Sequence, residues 1–316
     1  MKIAWLTDYI FGPSYILNEE KKKVKSGITN TGGVEKTNEI MIDEGIKLGH
    51  KIDIILPSRL NKKNIKKYDL VILNSITRFK VEDIYWLIDN VPYIKYEHDA
   101  GFCMWKNPLC EENCFKTNRQ KCTPYFYRKI FAQSELNIFL SPLHLQGHKQ
   151  FFWNELTDNK TIVIPSPLKK DKFKQDKTKI KRGHYLYLGA ISPTKGVEEI
   201  LVDFKDKGKK LCFVGPANDV PLFNSILRNG HTYLGELPYE KIPALLREYP
   251  NLLQYQTEIN DPFCRTAIEG LASGCKLIIK NKNRIGAFSY KVSKEKLLDM
   301  CYKAPKKFWT EVEKHK

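Results

Sequence analysis

The sequence predicts an α/β protein made of two doubly wound halves, and three observations carry that reading. Short apolar runs recur along the 316 residues, segments of helical periodicity separate them, and the alternation restarts after a Lys-rich stretch near residue 170. Runs that are apolar on both faces suit strands of a parallel sheet buried under helices. Strand–helix–strand alternation then places successive strands side by side in one sheet per half.

In chain order, the first half offers Ile3–Leu6, Ile52–Leu56, Leu70–Leu73, Tyr93–Tyr96, Asn137–Leu140 and Thr161–Ile164 as strands. The clearest helix between them runs from Val34 to Gly49, with Ile40, Met41, Ile46 and Leu48 as its apolar positions and Gly49-His50 as its stop. The second half restarts with Tyr185–Leu188, Leu211–Val214, Thr232–Leu234, Leu252–Tyr255 and Lys276–Ile279. The expected organisation is an N-terminal domain over 1–168, a linker over 169–182 and a C-terminal domain over 183–300. A final helix over 301–316 would pack back on the first domain.

Fifty-three basic and 36 acidic residues leave a net charge of +17, which favours an anionic partner. The excess is uneven. Residues 1–165 carry +5, residues 183–316 carry +6, and the 17 residues from Ser166 to Arg182 carry +6. A solvated linker accounts for that last share more simply than a nucleic-acid groove does. The longest stretch free of charged residues, Leu136–His148, has 13 residues, against the roughly 20 that a spanning helix needs. The first residues lack the pattern of a secretion signal, because Asp8, Gly12 and Pro13 interrupt it. A soluble cytoplasmic protein is the expectation, with peripheral contact at the inner membrane face as an option. Tyr125–Phe131 reads either as an interfacial helix or as a core helix with two solvated charges.

Of eight cysteines, Cys212, Cys264, Cys275 and Cys301 are scattered in the manner of reduced core thiols. Cys103, Cys110, Cys114 and Cys122 are clustered but lack the C-x2-C pairs usual in structural zinc sites. Unliganded thiols rank first for this cluster, structural zinc second and disulfides third.

Ligands of open parallel sheets bind beyond the carboxyl ends of the strands, and several segments there carry chemistry. Gly32-Gly33-Val34-Glu35 opens a helix, where backbone N–H groups can meet an anion. Leu188-Gly189-Ala190 leads to Lys195-Gly196, which reads either as a diphosphate cradle or as a surface lysine beside a helix cap. Gly215 ends the next strand. The most specific stretch is Asn260–Cys275. In it Asp261 and Glu269 bracket Phe263, Cys264, Arg265 and Thr266. Thr266-x-x-Glu269 also fits a capping box, in which Glu269 would only satisfy its own helix. No G-x-G-x-x-G or G-x4-G-K-[ST] occurs.

Taken in order, Gly32-Gly33-Val34-Glu35, His98-Asp99, Gly189 through Lys195-Gly196, and Asp261 through Glu269 resemble the motif series of retaining GT-B glycosyltransferases of the family-4 type (glycosyl transferases group 1). Two departures stand out: Ala190 lies where that family usually carries an arginine, and Asp261 replaces a glutamate that is one methylene longer. The resemblance implies two Rossmann-like domains facing across a cleft and a UDP- or GDP-sugar donor, with no catalytic metal. It casts Lys195, Asp261, Glu269 and His98 as catalytic residues. Gly32, Gly33, Gly189, Gly215, Phe263, Cys264, Arg265 and Thr266 would bind the donor. A glycan or lipid-linked carbohydrate is the favoured acceptor. The alternatives are a viral-type enzyme that glycosylates a hydroxymethylated DNA base, and a non-catalytic nucleic-acid-binding protein on the same scaffold.

Overall fold

The computed structural model describes residues 1–8, 32–103, 124–173, 184–205, 207–256 and 260–315, together with the backbone of 15–17 and 23–25. These residues form two units, Met1–Pro167 with Met300–Lys316, and Leu168–Asp299.

The first unit is built on β1 (Lys2–Leu6), β4 (Lys51–Ile55), β5 (Leu70–Leu73), β6 (Tyr93–Tyr96), β7 (Leu136–Phe139) and β8 (Thr161–Val163). A short antiparallel hairpin, β2 (Tyr15–Leu17) and β3 (Lys23–Lys25), precedes β4 and is not announced by the apolar pattern. The six-stranded sheet is parallel throughout, in the order β4-β1-β5-β6-β7-β8. Since the order runs outward from β1 in both directions, the switch point falls between β1 and β5, where a crevice opens at the strand ends.

The helices of this unit are α1 (Gly33–Lys47), α2 (Lys62–Ile65), α3 (Val81–Asn90), α4 (Pro124–Gln133) and α5 (Pro142–Lys149). Gly49 ends the first of them in the left-handed region (φ +86), where glycine is least strained. The buried stripe of α1 follows Asn38, Met41 and Gly45, so Ile46 and Leu48, expected to face the core, are instead 55% and 47% exposed. Helix α4 settles the reading of Tyr125–Phe131 in favour of a core helix. Tyr127, Ile130 and Phe131 are buried, while Arg128 pairs with Glu155 (3.4 Å) and Lys129 with Asp89 (2.8 Å). Tyr125, 84% exposed, projects from this segment, and Arg128 is exposed beside it.

The second unit holds β9 (His184–Leu188), β10 (Lys210–Val214), β11 (Thr232–Tyr233), β12 (Asn251–Tyr255) and β13 (Lys276–Lys280), all parallel, in the order β11-β10-β9-β12-β13. Its helices are α6 (Val197–Phe204), α7 (Val220–Arg228), α8 (Ile242–Glu248) and α9 (Arg265–Ala272). Tyr187, Ile200, Phe213, Ile226 and Leu253 form the middle of its core. Here the switch point lies between β9 and β12.

Helix α10 (Lys294–Val312) closes the chain, and its later turns belong to the first unit. Phe308, Trp309 and Val312 are fully buried there. The Trp309 indole N–H donates to the Met41 carbonyl (2.7 Å), and its ring lies 6.4 Å from that of Trp5. Gly45 makes room for it: a Cβ at that position would come within 2.3 Å of the Trp309 ring.

Two histidines are sealed inside the first unit. The Leu140 N–H donates to His144 Nδ1 (3.3 Å), which leaves the ring proton on Nε2, facing the Asp99 carbonyl at 3.1 Å. His148 Nδ1 lies 2.9 Å from the His144 carbonyl, and Phe102, Phe131 and Phe139 surround its ring. Burial pushes both imidazoles down to about 3. His148 adds to the effect at His144, and Lys95 adds to it at His148. Both rings are therefore neutral in the folded chain, while the unfolded chain takes up these protons below about pH 6.5. Stability should fall as pH drops from about 6.5 toward 3, by about 1.4 kcal/mol per pH unit for each histidine. Denaturant unfolding between pH 7.5 and 4.5 measures this slope, and His148→Phe should reduce it by one histidine's share.

Candidate functional site

In the second unit, the residues after β9 and β12 meet across the switch point. Lys195 ends a 3-10 turn (Pro193–Lys195), and Gly196 follows at φ +69 to start α6. A Cβ on Gly196 would lie 2.6 Å from Tyr255 Cβ and 2.9 Å from its carbonyl oxygen, so glycine lets this turn press onto the end of β12. The turn delivers the Lys195 ammonium to Asp261 Oδ2 at 3.1 Å.

The other oxygen of Asp261 serves its own loop. Oδ1 accepts the backbone N–H groups of Phe263 (3.1 Å) and Cys264. Burial alone would push this carboxyl up. Lys195 and the two backbone donors outweigh that and hold it below its ordinary value. The Asp261 backbone is fixed as well, its N–H donating to Arg284 O (2.9 Å) and its carbonyl accepting from Gly286 N (2.8 Å).

Cys264 caps α9 from the left-handed region (φ 61), a strained place for a non-glycine residue. Its thiol faces Gln254 Oε1 at 3.1 Å, and burial pushes it well above the usual thiol range. The helix therefore starts one residue before Thr266. The capping-box reading is overturned, because Thr266 lies inside the first turn and Glu269 bonds side chains instead of the helix start.

Those side chains close a ring of three. Arg265 Nε donates to Glu269 Oε1 (2.7 Å), the Tyr239 hydroxyl donates to the same oxygen (2.6 Å), and Arg265 Nη2 donates to the Tyr239 oxygen (3.0 Å). Glu269 is 3% exposed. Burial pulls the Arg265 guanidinium down, yet Glu269 and Tyr239 outweigh it and keep the cation firmly charged. Tyr239 was not singled out from the sequence. It sits in a 3-10 turn (Tyr239–Lys241), and its one signal is a lone tyrosine between Pro238 and an acidic residue.

The glycines have different duties. Gly215, at φ +135, lies so close to Gly189 that a Cβ would be 2.1 Å from the Gly189 oxygen, so these two serve packing between neighbouring strand ends. In the first unit, Gly32 is the N-cap of α1. A Cβ there would fall 2.1 Å from Glu35 Oε2, so the Glu35 carboxylate already lies at the helix start offered to an anion, with Gly33 as the first helical residue.

His98 also belongs to the first unit, two residues beyond β6. It is 5% exposed, packs at a tilt against the Tyr96 ring with centroids 4.2 Å apart, and leaves Nε2 buried with no hydrogen bond among the described residues. Burial, then Lys95 and His144, hold its imidazole well below its ordinary value, so it is neutral near pH 7. A small cleft with room for about one water lies beside it, lined by Asn74, Thr77, Glu97, Asp99 and Tyr127 among others. Below it Lys95, 1% exposed, binds Glu97 Oε2 (2.8 Å) and the Asn74 carbonyl (2.7 Å). Asp8 ties β1 to the loop after β5 through Ser75, Thr77 and the Arg78 N–H.

Cys103 is buried, and Cys110, Cys114 and Cys122 lie outside the described residues. Among the described residues no group of three or more metal-ligating side chains occurs, and no helix is long and apolar enough to cross a membrane.

Two doubly wound parallel-sheet units, with charged loops at their strand ends, define the GT-B glycosyltransferase fold, and the chain has that fold. It is similar to WaaG, a glycosyltransferase involved in lipopolysaccharide biosynthesis, at TM-score 0.64 and 13% identity over 96% of this chain and 90% of that one. AviGT4, a glycosyltransferase involved in avilamycin A biosynthesis, is similar at TM-score 0.58 and 15% identity over 96% and 88%. An α-glucosyltransferase in complex with UDP and a 13-mer DNA containing an HMU base is similar at TM-score 0.58 and 13% identity over 88% and 79%. No family model and no curated protein matches the sequence.

The double role of Asp261 has a measurable consequence. Asp261→Ala orphans two backbone N–H groups and should lower stability by about 1–3 kcal/mol. Asp261→Asn keeps an acceptor for them and loses only the charge facing half-exposed Lys195, so it should cost clearly less. Thermal or urea unfolding of the two variants separates loop anchoring from ion pairing.

Proposed function

We propose that the chain is a retaining glycosyltransferase that moves a sugar from a nucleotide-diphosphate sugar to an acceptor hydroxyl. The observation that carries this reading is the pairing of Lys195 with Asp261 across the switch point of a GT-B unit, with Glu269 held one helical stretch away. Fold alone would not carry it, since one scaffold hosts many functions.

In this reading the diphosphate displaces Asp261 from the Lys195 ammonium. Lys195 and the N–H groups at the start of α9 neutralise the charge that grows on the departing phosphate oxygen as the bond to the anomeric carbon breaks. The acceptor oxygen attacks the same face of that carbon, and its proton leaves with the phosphate. Glu269 accepts the ribose hydroxyls. Arg265, committed to Glu269 and Tyr239, orients that carboxylate and is not the diphosphate's second cation. Asp261, with Oδ1 held by its own loop, serves the donor site mainly by holding Lys195 in place. His98, neutral and beside the first unit's cleft, offers a ring nitrogen to a sugar hydroxyl. UDP- and GDP-sugars are the donors to test first, and no metal takes part.

The acceptor proposed is a glycan or lipid-linked carbohydrate at the cytoplasmic face of a membrane. A DNA acceptor is the second reading, motivated by the +17 charge and by the DNA-bound relative. Salt separates the two: transfer to DNA should weaken with a log–log slope of about 0.7–0.9 per displaced counterion, and transfer to a glycan should hardly respond.

A matching nucleotide sugar at 100 times its dissociation constant should stabilise the chain by about 2.7 kcal/mol in thermal unfolding. No stabilisation by any UDP-, GDP- or ADP-sugar would leave a non-catalytic scaffold as the better account. Lys195→Ala should lower kcat about 10²–10³-fold with a smaller change in donor affinity. A rise in KM alone would assign Lys195 to ground-state binding. Glu269→Gln should abolish most transfer and, by unbalancing buried Arg265, destabilise the fold by about 3 kcal/mol. Activity is therefore read per folded molecule.

A further inference from the structure

We propose that Tyr239 is a positioning residue that fixes which oxygen of Glu269 faces a ligand, and so sets a preference for nucleotides with an intact ribose diol. The inference rests on the donor-site role proposed above for Glu269 and adds a residue that the sequence motifs do not include.

Three facts support it. First, both internal donors converge on one oxygen, with Tyr239 Oη at 2.6 Å and Arg265 Nε at 2.7 Å from Oε1. A carboxylate oxygen has two lone-pair sites, so Oε1 is filled. Second, Oε2 takes no hydrogen bond among the described residues, which leaves it as the oxygen able to accept hydroxyls from outside. Third, the Tyr239 proton has a forced direction. Arg265 Nη2 can only donate to the phenol oxygen (3.0 Å), so the hydroxyl must donate toward Glu269. Burial and the nearby Glu269 charge push the phenol well above its ordinary value, so it stays protonated and remains a donor.

The geometry also holds without the hydroxyl proton being free to wander. The Tyr239 ring lies 6.2 Å from Phe173 and 5.8 Å from the Arg265 guanidinium, so the ring is gripped on two sides. Removing the hydroxyl frees one lone pair of Oε1 and lets the carboxylate turn about its last torsion. An incoming diol would then meet a mobile acceptor in place of a fixed one.

The test compares ratios within one protein, so a general loss of stability cancels. Dissociation constants of the full-length chain are measured by calorimetry for UDP, GDP and ADP and for their 2′,3′-dideoxy counterparts. The wild type should bind at least one ribose nucleotide about tenfold or more tightly than its dideoxy form. Tyr239→Phe, which keeps the ring, should bring that ratio to about twofold or less while leaving the dideoxy affinity unchanged. A Tyr239→Phe protein that keeps the wild-type ratio overturns the proposal and leaves the donor site standing. A wild type that does not discriminate overturns the assignment of Glu269 to the ribose, and this proposal with it. Should Tyr239→Phe fail to fold, 3-fluorotyrosine at position 239 keeps both ring and hydroxyl while making the phenol a stronger donor. The ratio should then stay at or above the wild-type value, and a fall toward twofold overturns the proposal.

Discussion

The candidate site of the second unit depends on one short carboxylate. Asp261 answers two demands with two oxygens, one turned inward to the backbone of its own loop and one turned to Lys195 across the gap between β9 and β12. The first contact shapes the loop and brings Cys264 to its left-handed angle, from which α9 can start. The second ties the loop after β9 to the loop after β12, two segments 66 residues apart in sequence. A side chain this short suits bonds to backbone N–H groups two and three residues ahead in a tight turn. Asp261 thus anchors inward through one oxygen, while the other faces Lys195.

Both units place a buried ion pair below their strand ends, and the cation of each pair makes a further hydrogen bond. Lys95 meets Glu97 and a backbone carbonyl. Arg265 meets Glu269 and a phenol. Removing charges from water is expensive, and such pairs add little net stability unless their remaining donors and acceptors are satisfied. Their value here is geometric. Each fixes the direction of a polar atom next to the surface where a ligand would approach, in a setting where a wrong rotamer would strand a charge. His98 belongs to the same economy of fixed polar groups, held neutral by the burial that also orients it.

The architecture was legible because periodicity and runs of Ile, Leu, Val and Tyr report burial directly. All eleven apolar runs became strands, and the helix before Gly49 falls within two residues of its expected ends. What stayed hidden depends on partners distant in sequence. Ile46 and Leu48 look core-facing until the stripe is set by what Gly45 must admit. Thr266-x-x-Glu269 fits a capping box by spacing, yet the helix begins one residue earlier because Asp261 shapes the preceding turn. Lys95 reads as a stray cation inside an apolar strand, and only the fold brings Glu97 and the Asn74 carbonyl around it. Tyr239 carried no motif, and its importance appears only once α9 turns Glu269 toward it. The motifs named Lys195, Asp261, Arg265 and Glu269, which the structure places at the strand ends of one unit, while the partner that each side chain takes there was not readable from them.

The placement of α10 has a consequence for how the molecule is made. Trp5 and Trp309 share one core, yet 304 residues separate them along the chain. At a synthesis rate of about 5–20 residues per second, the first strand waits about 15–60 s for the helix that covers it. The second unit, Leu168–Asp299, is continuous and has all its residues before the later turns of that helix emerge. The half that starts first is therefore the half that finishes last. Until then the surface beside Gly45 and Met41 lacks the indole that covers it in the folded chain.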